Sequence, residues 1–184
     1  MTETLESFVN KEIHKGVDDD DLMREIGADK ATLVRYLDLP KYKSLWDLMS
    51  TAKDNNVVVF FPIDSELDGH YVAMLFYPDQ NMINYFCPYG LSPDQDVGYS
   101  KYLNASDPRV RTSLLGLLSE FQQAGGRVNV NTSKLQKLGS ASATCGRHCF
   151  MRIMFKAIAD PAHYARFLRF KSLTPDEIVT IAFI

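Results

Sequence analysis

Three short, mostly apolar runs, Val57–Phe61, His70–Phe76 and Met82–Cys87, follow one another closely in the middle of the chain, the first made of β-branched and aromatic residues. Runs this short and this apolar read as strands. Pro78-Asp-Gln-Asn81 between the second and third supplies turn residues, so those two form a hairpin. Arg127–Thr132 reads as one more strand. An apolar sheet has to be covered by other elements. The flanking sequence provides helices for this, and the expected class is α+β, a small mixed sheet packed by helices.

Residues 1–55 read as helical. Leu5, Phe8 and Val9 form one apolar stripe, and Asp18–Asp21 leads into Leu22–Ile26 as acids favoured at a helix start. Leu45–Met49 reads as a core-facing amphipathic helix. Pro88–Asn104 reads as a long loop rich in aromatics. Asp107-Pro108 starts a helix whose apolar side is Val110, Leu114, Leu117, Leu118 and Phe121, ended by Gly125-Gly126. Cys145–Ile158 reads as a helix, and Thr174-Pro-Asp-Glu177 is a capping box that opens a last one. The simplest division is a single domain over 1–184: a helical part at 1–55, a core at 57–158 and terminal helices at 159–184.

Composition removes several classes. The net charge is -3, without the basic stripe that nucleic-acid binding needs. Arg147, Arg152, Lys156, Arg166, Arg169 and Lys171 could form a local basic patch, but solvated helix faces are the favoured reading. No apolar run is long enough to cross a membrane, and Met1–Asn10 carries charge where a signal peptide is apolar. Three cysteines make no disulfide framework, which fits a reducing compartment and a protein that is not secreted. Nothing calls for a cofactor or for an oligomer.

The chemistry concentrates at Ser142-Ala-Thr-Cys145-Gly-Arg-His-Cys149. A thiol at a helix start is activated by unpaired N–H groups and the helix dipole. A histidine lowers its pKa further and shuttles the proton. His70, opening a strand beside Gly69, is the candidate base; His14, His148 and His163 are weaker ones. The small residues Gly139–Ala143 leave room for a substrate backbone, and Gly146 for its close approach. Against this stand two plain alternatives: cysteine is often a core residue, and a strand histidine often a satisfied one. A zinc site on Cys145, His148 and Cys149 lacks the second ligand pair that structural zinc needs.

These residues resemble the nucleophile motif of the adenain-type cysteine proteases, the maturation proteases of adenoviruses, virophages and polinton-like elements, which share a clan with the ubiquitin-like-protein proteases. His70-Tyr71 and Tyr85-Phe86-Cys87-Pro88-Tyr89-Gly90 resemble the family's histidine strand and its acid-bearing strand end. The order His, acid position, Gln, Cys is also the family's, and the likeness covers roughly 57–158. It implies a circularly permuted papain-like fold and a cysteine endopeptidase, located in the virion or host cell. Its substrates would be viral capsid or precursor proteins, cut near small residues such as glycine. A protease for ubiquitin-like modifiers and an inactive scaffolding relative are the alternatives.

Two positions depart from the family pattern. Cys87 occupies the acid position, and a thiol cannot hold an imidazolium as a carboxylate does. Asn84, Asp79, Asp94 and Asp96 are the other candidates to orient His70, although strand alternation turns Asn84 away from the face of Cys87. The family's oxyanion glutamine falls at Leu138 or Gly139, with Gln136 slightly further back as the candidate; a surface glutamine is its alternative.

Overall fold

The computed structural model describes residues 4–138, 142–169 and 172–183. Its centre is a five-stranded mixed sheet in the order β1-β2-β3-β4-β5. The strands are β1 (Thr32–Arg35), β2 (Asn56–Pro62), β3 (Gly69–Tyr77), β4 (Met82–Phe86) and β5 (Arg127–Val130). The inner pairs β2–β3 and β3–β4 are antiparallel, whereas β1 and β5 add in parallel at the two edges. The expected hairpin joins β3 to β4. Pro78–Gln80 makes a single 3-10 turn, and Asn81 takes the left-handed conformation at φ 44°, which asparagine tolerates better than most residues.

Residues 1–55 are not wholly helical. They hold α1 (Leu5–Glu12), α2 (Asp19–Ile26), a 3-10 segment at Tyr36–Lys41 and α3 (Leu45–Ser50), but also the edge strand β1. Thr32–Arg35 is a single short turn's worth of sequence, and its pairing with β2 overrides any local signal. Within α3, Leu45, Leu48 and Met49 are buried, but Trp46 remains 49% exposed, its ring edge-on to Phe76 and Phe121. It lies over the core's margin, not inside it.

Pro88–Asn104 is likewise not a plain loop. Ser92 caps α4 (Pro93–Tyr99) with a capping box completed by Gln95, and Ser100 caps the one-turn α5 (Lys101–Asn104). The helix expected after Asp107 is split at Thr112 into α6 (Pro108–Arg111) and α7 (Ser113–Gln123). Together α4–α7 form the crossover that returns the chain to β5, parallel to β4.

The alternation of β3 divides the core in two. Val72 and Met74 face Phe61, Tyr85, Leu48 and the α7 residues Leu114 and Phe121. Tyr71, Ala73 and Leu75 face Leu22 and Ile26 of α2 and Cys149 and Ile153 of α8 (Cys145–Met154), with Tyr164 and Val179 from α9 (Pro161–Phe167) and α10 (Pro175–Ala182) behind. Each fully buried side chain of this size contributes about 1.5–3 kcal/mol, so a strand lined on both faces is the rigid part of the molecule. The α8 helix ends at Met154, short of Ile158. It is buried nearly all round, at Arg147, His148, Cys149, Met151, Arg152 and Ile153, as befits a helix enclosed by other elements.

Burial of Arg147 and Arg152 removes them from any solvated basic face. Arg152 binds the Tyr77 hydroxyl and stacks over Tyr164; Lys171 lies outside the described residues. Gly69 is a fixed requirement of the β2–β3 pairing. A Cβ there would lie 1.9 Å from the Phe61 carbonyl oxygen, so the backbone itself would have to move. Gly69→Ala is expected to destabilise the protein by about 3 kcal/mol, read as a shift in the urea unfolding midpoint, and to displace the neighbouring His70.

Candidate active site

Cys145 is the first residue of α8, and Thr144 before it caps the helix without a side-chain hydrogen bond. The sulfur therefore meets free N–H groups. Those of Tyr71, Gly146 and Cys145 itself lie close enough to favour its thiolate. The Tyr71 N–H belongs to the peptide linking His70 to Tyr71. It is available because pairing between β3 and β4 stops at Ala73 and Phe86. The thiol thus reaches the sheet in its own plane, where β4 has departed. Burial pushes the Cys145 thiol pKa up, while these three N–H groups and nearby Arg147 pull it down. A lone neutral environment would keep it a thiol; an adjacent cation is what it needs to ionise.

The smallness of Gly146 serves packing. A Cβ there would lie 3.3 Å from the Tyr71 ring and 3.5 Å from Leu22. The space is filled by the protein's own β3 and α2, so the expectation that it admits a substrate is corrected. Gly139, Ser140 and Ala141 lie outside the described residues.

His70 is 1% exposed and lies between the rings of Phe61 and Tyr89, at centroid distances of 5.6 and 5.1 Å. Its Nε2 stands 3.3 Å from Asp96 Oδ1, and both side chains are buried. The two approach closely without good hydrogen-bond geometry, and neither ring nitrogen of His70 has a hydrogen-bond partner. Long or misaligned catalytic hydrogen bonds are usual before substrate binds. Of the four alternatives to Cys87, Asp96 is the one the fold brings to His70. It projects from α4, the helix that reading the segment as a loop missed. The signal was present in Ser92-Pro93-Asp94-Gln95, a capping box with proline at the first helical position.

Cys87 does not replace the acid; it supports it. Its thiol donates to Asp96 Oδ1 at 3.4 Å, and the Tyr85 hydroxyl donates to Oδ2 at 2.5 Å. Burial pushes the Cys87 thiol far up, with the Asp96 charge adding to the effect, so position 87 is a neutral donor. His70, Cys87 and Asp96 also lie close enough together to be weighed as metal ligands, each of them buried.

The other candidates are corrected by their contacts. Asn84 lies on the opposite face of β4, where Nδ2 donates to the Ala159 carbonyl at 2.6 Å. It cannot orient His70. Asp94 accepts from Ser92 on the surface, and Asp79 is exposed in the β3–β4 turn. His148 points away from the sulfur toward Asp176, 3.0 Å from its Oδ1, and Cys149 is in the core. The zinc grouping of Cys145, His148 and Cys149 is therefore not assembled. His14 and His163 are exposed.

Gln136 is buried, not a surface residue. Its Nε2 donates to the Ser142 carbonyl at 2.9 Å, and its Oε1 has no partner. The amide therefore lies beside the segment that leads into Cys145, as an oxyanion donor should, with its donor at present engaged. A cleft of about 840 Å³ opens over Cys145, walled by Tyr71, Tyr89, Phe60 and Tyr99 and by acidic residues around Asp19. Asp19 binds Arg35 and accepts from the Tyr71 hydroxyl at 2.6 Å. The loop between α1 and α2 and the start of α2 thus form one wall of the cleft that holds the thiol.

No known protein-family profile matches the chain. Along most of its length it is similar to a viral protein, the "Uncharacterized protein V9" of Sputnik virophage. The two are 28% identical over 161 residues, which cover 85% of this chain and 88% of that relative. Among the described residues, no helix is long and apolar enough to cross a membrane.

Proposed function

We propose that this protein is a viral cysteine endopeptidase with Cys145 as nucleophile, His70 as base and Asp96 as the acid that steadies it. The observation that carries the reading is the buried His70–Asp96 pair, whose histidine directly precedes Tyr71, the residue whose N–H favours the Cys145 thiolate. Nucleophile, base and orienting carboxylate in this relation are the general arrangement of thiol and serine hydrolases. The likeness to a virophage protein favours a viral role, and the resemblance of the motifs to adenain-type proteases favours a circularly permuted papain-like fold.

With Nε2 turned to Asp96, Nδ1 is the nitrogen left for the thiol. It takes the Cys145 proton, and the resulting imidazolium supplies the cation that offsets burial of the thiolate. The thiolate attacks a peptide carbonyl; the Cys145 N–H and the Gln136 amide, once turned from Ser142, hold the oxyanion. The C–N bond breaks as Nδ1–H protonates the leaving amine, leaving a thioester. His70 then removes a proton from water, which attacks the thioester and releases the acid and the thiol. Tyr71 and Tyr89 narrow the cleft at the sulfur, which suits small residues at the cut.

The test is incubation of the purified protein with candidate capsid precursors from the same virus, beside a panel of ubiquitin-like modifier C-terminal fusions. Discrete fragments of a precursor are expected. Cleavage confined to the modifiers would move the assignment to the sister group of the clan. Absence of any cleavage, together with a thiol of ordinary reactivity at position 145, would overturn it in favour of a scaffolding role.

A further inference from the structure

Three consecutive residues lead into the nucleophile, and each is tied to a different part of the chain. The Ser142 carbonyl accepts from Gln136, the Ala143 N–H donates to the Ile13 carbonyl at 2.8 Å, and the Thr144 hydroxyl donates to Asp176 Oδ1. Asp176, in the first turn of α10, has the most connections. The same Oδ1 stands 3.0 Å from His148 Nε2, and Oδ2 is 3.5 Å from the Ser142 hydroxyl. Thr144 and His148 are fully buried, and Asp176 keeps only 18% of its side-chain surface. A carboxylate can accept several hydrogen bonds at once and is favoured at a helix N-terminus, so one side chain gathers residues on both sides of Cys145. None of these contacts involves His70, although Ser142 and Ala143 themselves line the cleft beside Cys145.

We propose that Asp176 is a positioning residue of this site. It holds Ser142 and Thr144 so that the Cys145 N–H stays aimed at the developing oxyanion and Gln136 stays beside it, within reach once it turns from Ser142. The inference rests on the endopeptidase reading, and it draws the C-terminal helix, which the motif resemblance does not cover, into the catalytic apparatus. It also predicts a division of labour. His70 and Asp96 activate the thiol; Asp176 acts on the carbonyl side of the reaction.

That division is testable, because alkylation of a thiol by iodoacetamide passes through no oxyanion whereas acylation does. With a precursor peptide that the wild type cleaves, Asp176→Asn is expected to lower kcat about 10- to 100-fold, the usual size for a partner that orients a reacting group. KM and the alkylation rate of Cys145 should stay within about twofold of wild type, an effect too small to count as a tenfold energetic step. Thr144→Val, which removes a single donor, should act in the same direction but less. It decides the matter if Asp176→Asn does not fold. Unchanged kcat in the folded variants, or alkylation falling in parallel with kcat, would overturn the inference while leaving the endopeptidase standing. A wild type that cleaves nothing would remove both.

Discussion

Cys145→Ala is expected to abolish precursor cleavage while leaving a folded protein. Removing the nucleophile of a covalent hydrolase lowers kcat by about 10⁶-fold, below detection in an ordinary assay. The structural cost is small. Cys145 is half-buried and packs against the margin of the core rather than inside it; loss of one heavy atom there costs about 1 kcal/mol. The variant should therefore retain the wild-type circular dichroism spectrum and bind uncut substrate, which a pull-down would detect. Activity retained in Cys145→Ala would assign the chemistry to another residue.

Asp96→Asn is the second large effect. The substitution preserves shape but replaces an acceptor-only carboxylate by an amide that cannot stabilise an imidazolium. In hydrolases built on a nucleophile, a histidine and an acid, it lowers kcat by on the order of 10⁴-fold, mainly by presenting the histidine in the wrong tautomer. The same order is expected here, with KM nearly unchanged because Asp96 is buried behind His70 and lines no part of the cleft. Asn84→Ala is the matching control: its side chain serves the Ala159 carbonyl, so its cost should fall on stability. A drop in kcat for Asn84→Ala with none for Asp96→Asn would reverse the assignment made from the structure.

The inner strands were legible because their chemistry is local. Val57–Phe61 consists of β-branched and aromatic residues alone, Tyr71–Phe76 is a short apolar run, and the proline and asparagine of the turn mark the hairpin. β1 was not, because four residues flanked by helices carry no period of their own; the strand exists through its pairing with β2. His70 and Cys145 could be singled out from helix-start and strand-start signals. Asp96 could only be one of several acids, because its relation to His70 is made by the α4 turn and not by register along β4. The capping box at Ser92 was readable and would have placed a helix there, though not its direction. Asp176 carried no signal at all as a site residue. It is separated from Thr144 and His148 along the chain, and only the docking of α10 on α8 brings the three together.

The proposed mechanism requires that His70, backed by Asp96, ionise Cys145. Burial pushes this thiol up, so without a cationic partner its reactivity should rise only above the free-thiol value of about 8.5. The direct measurement is the pH dependence of Cys145 alkylation by iodoacetamide, followed by mass spectrometry, in wild type and His70→Ala. A reactive plateau extending below neutral pH is expected in the wild type, and a midpoint displaced upward by more than about one pH unit in His70→Ala, since one unit corresponds to roughly 1.4 kcal/mol of ion pairing. Superimposable profiles in the two proteins, both rising only in the alkaline range, would contradict it.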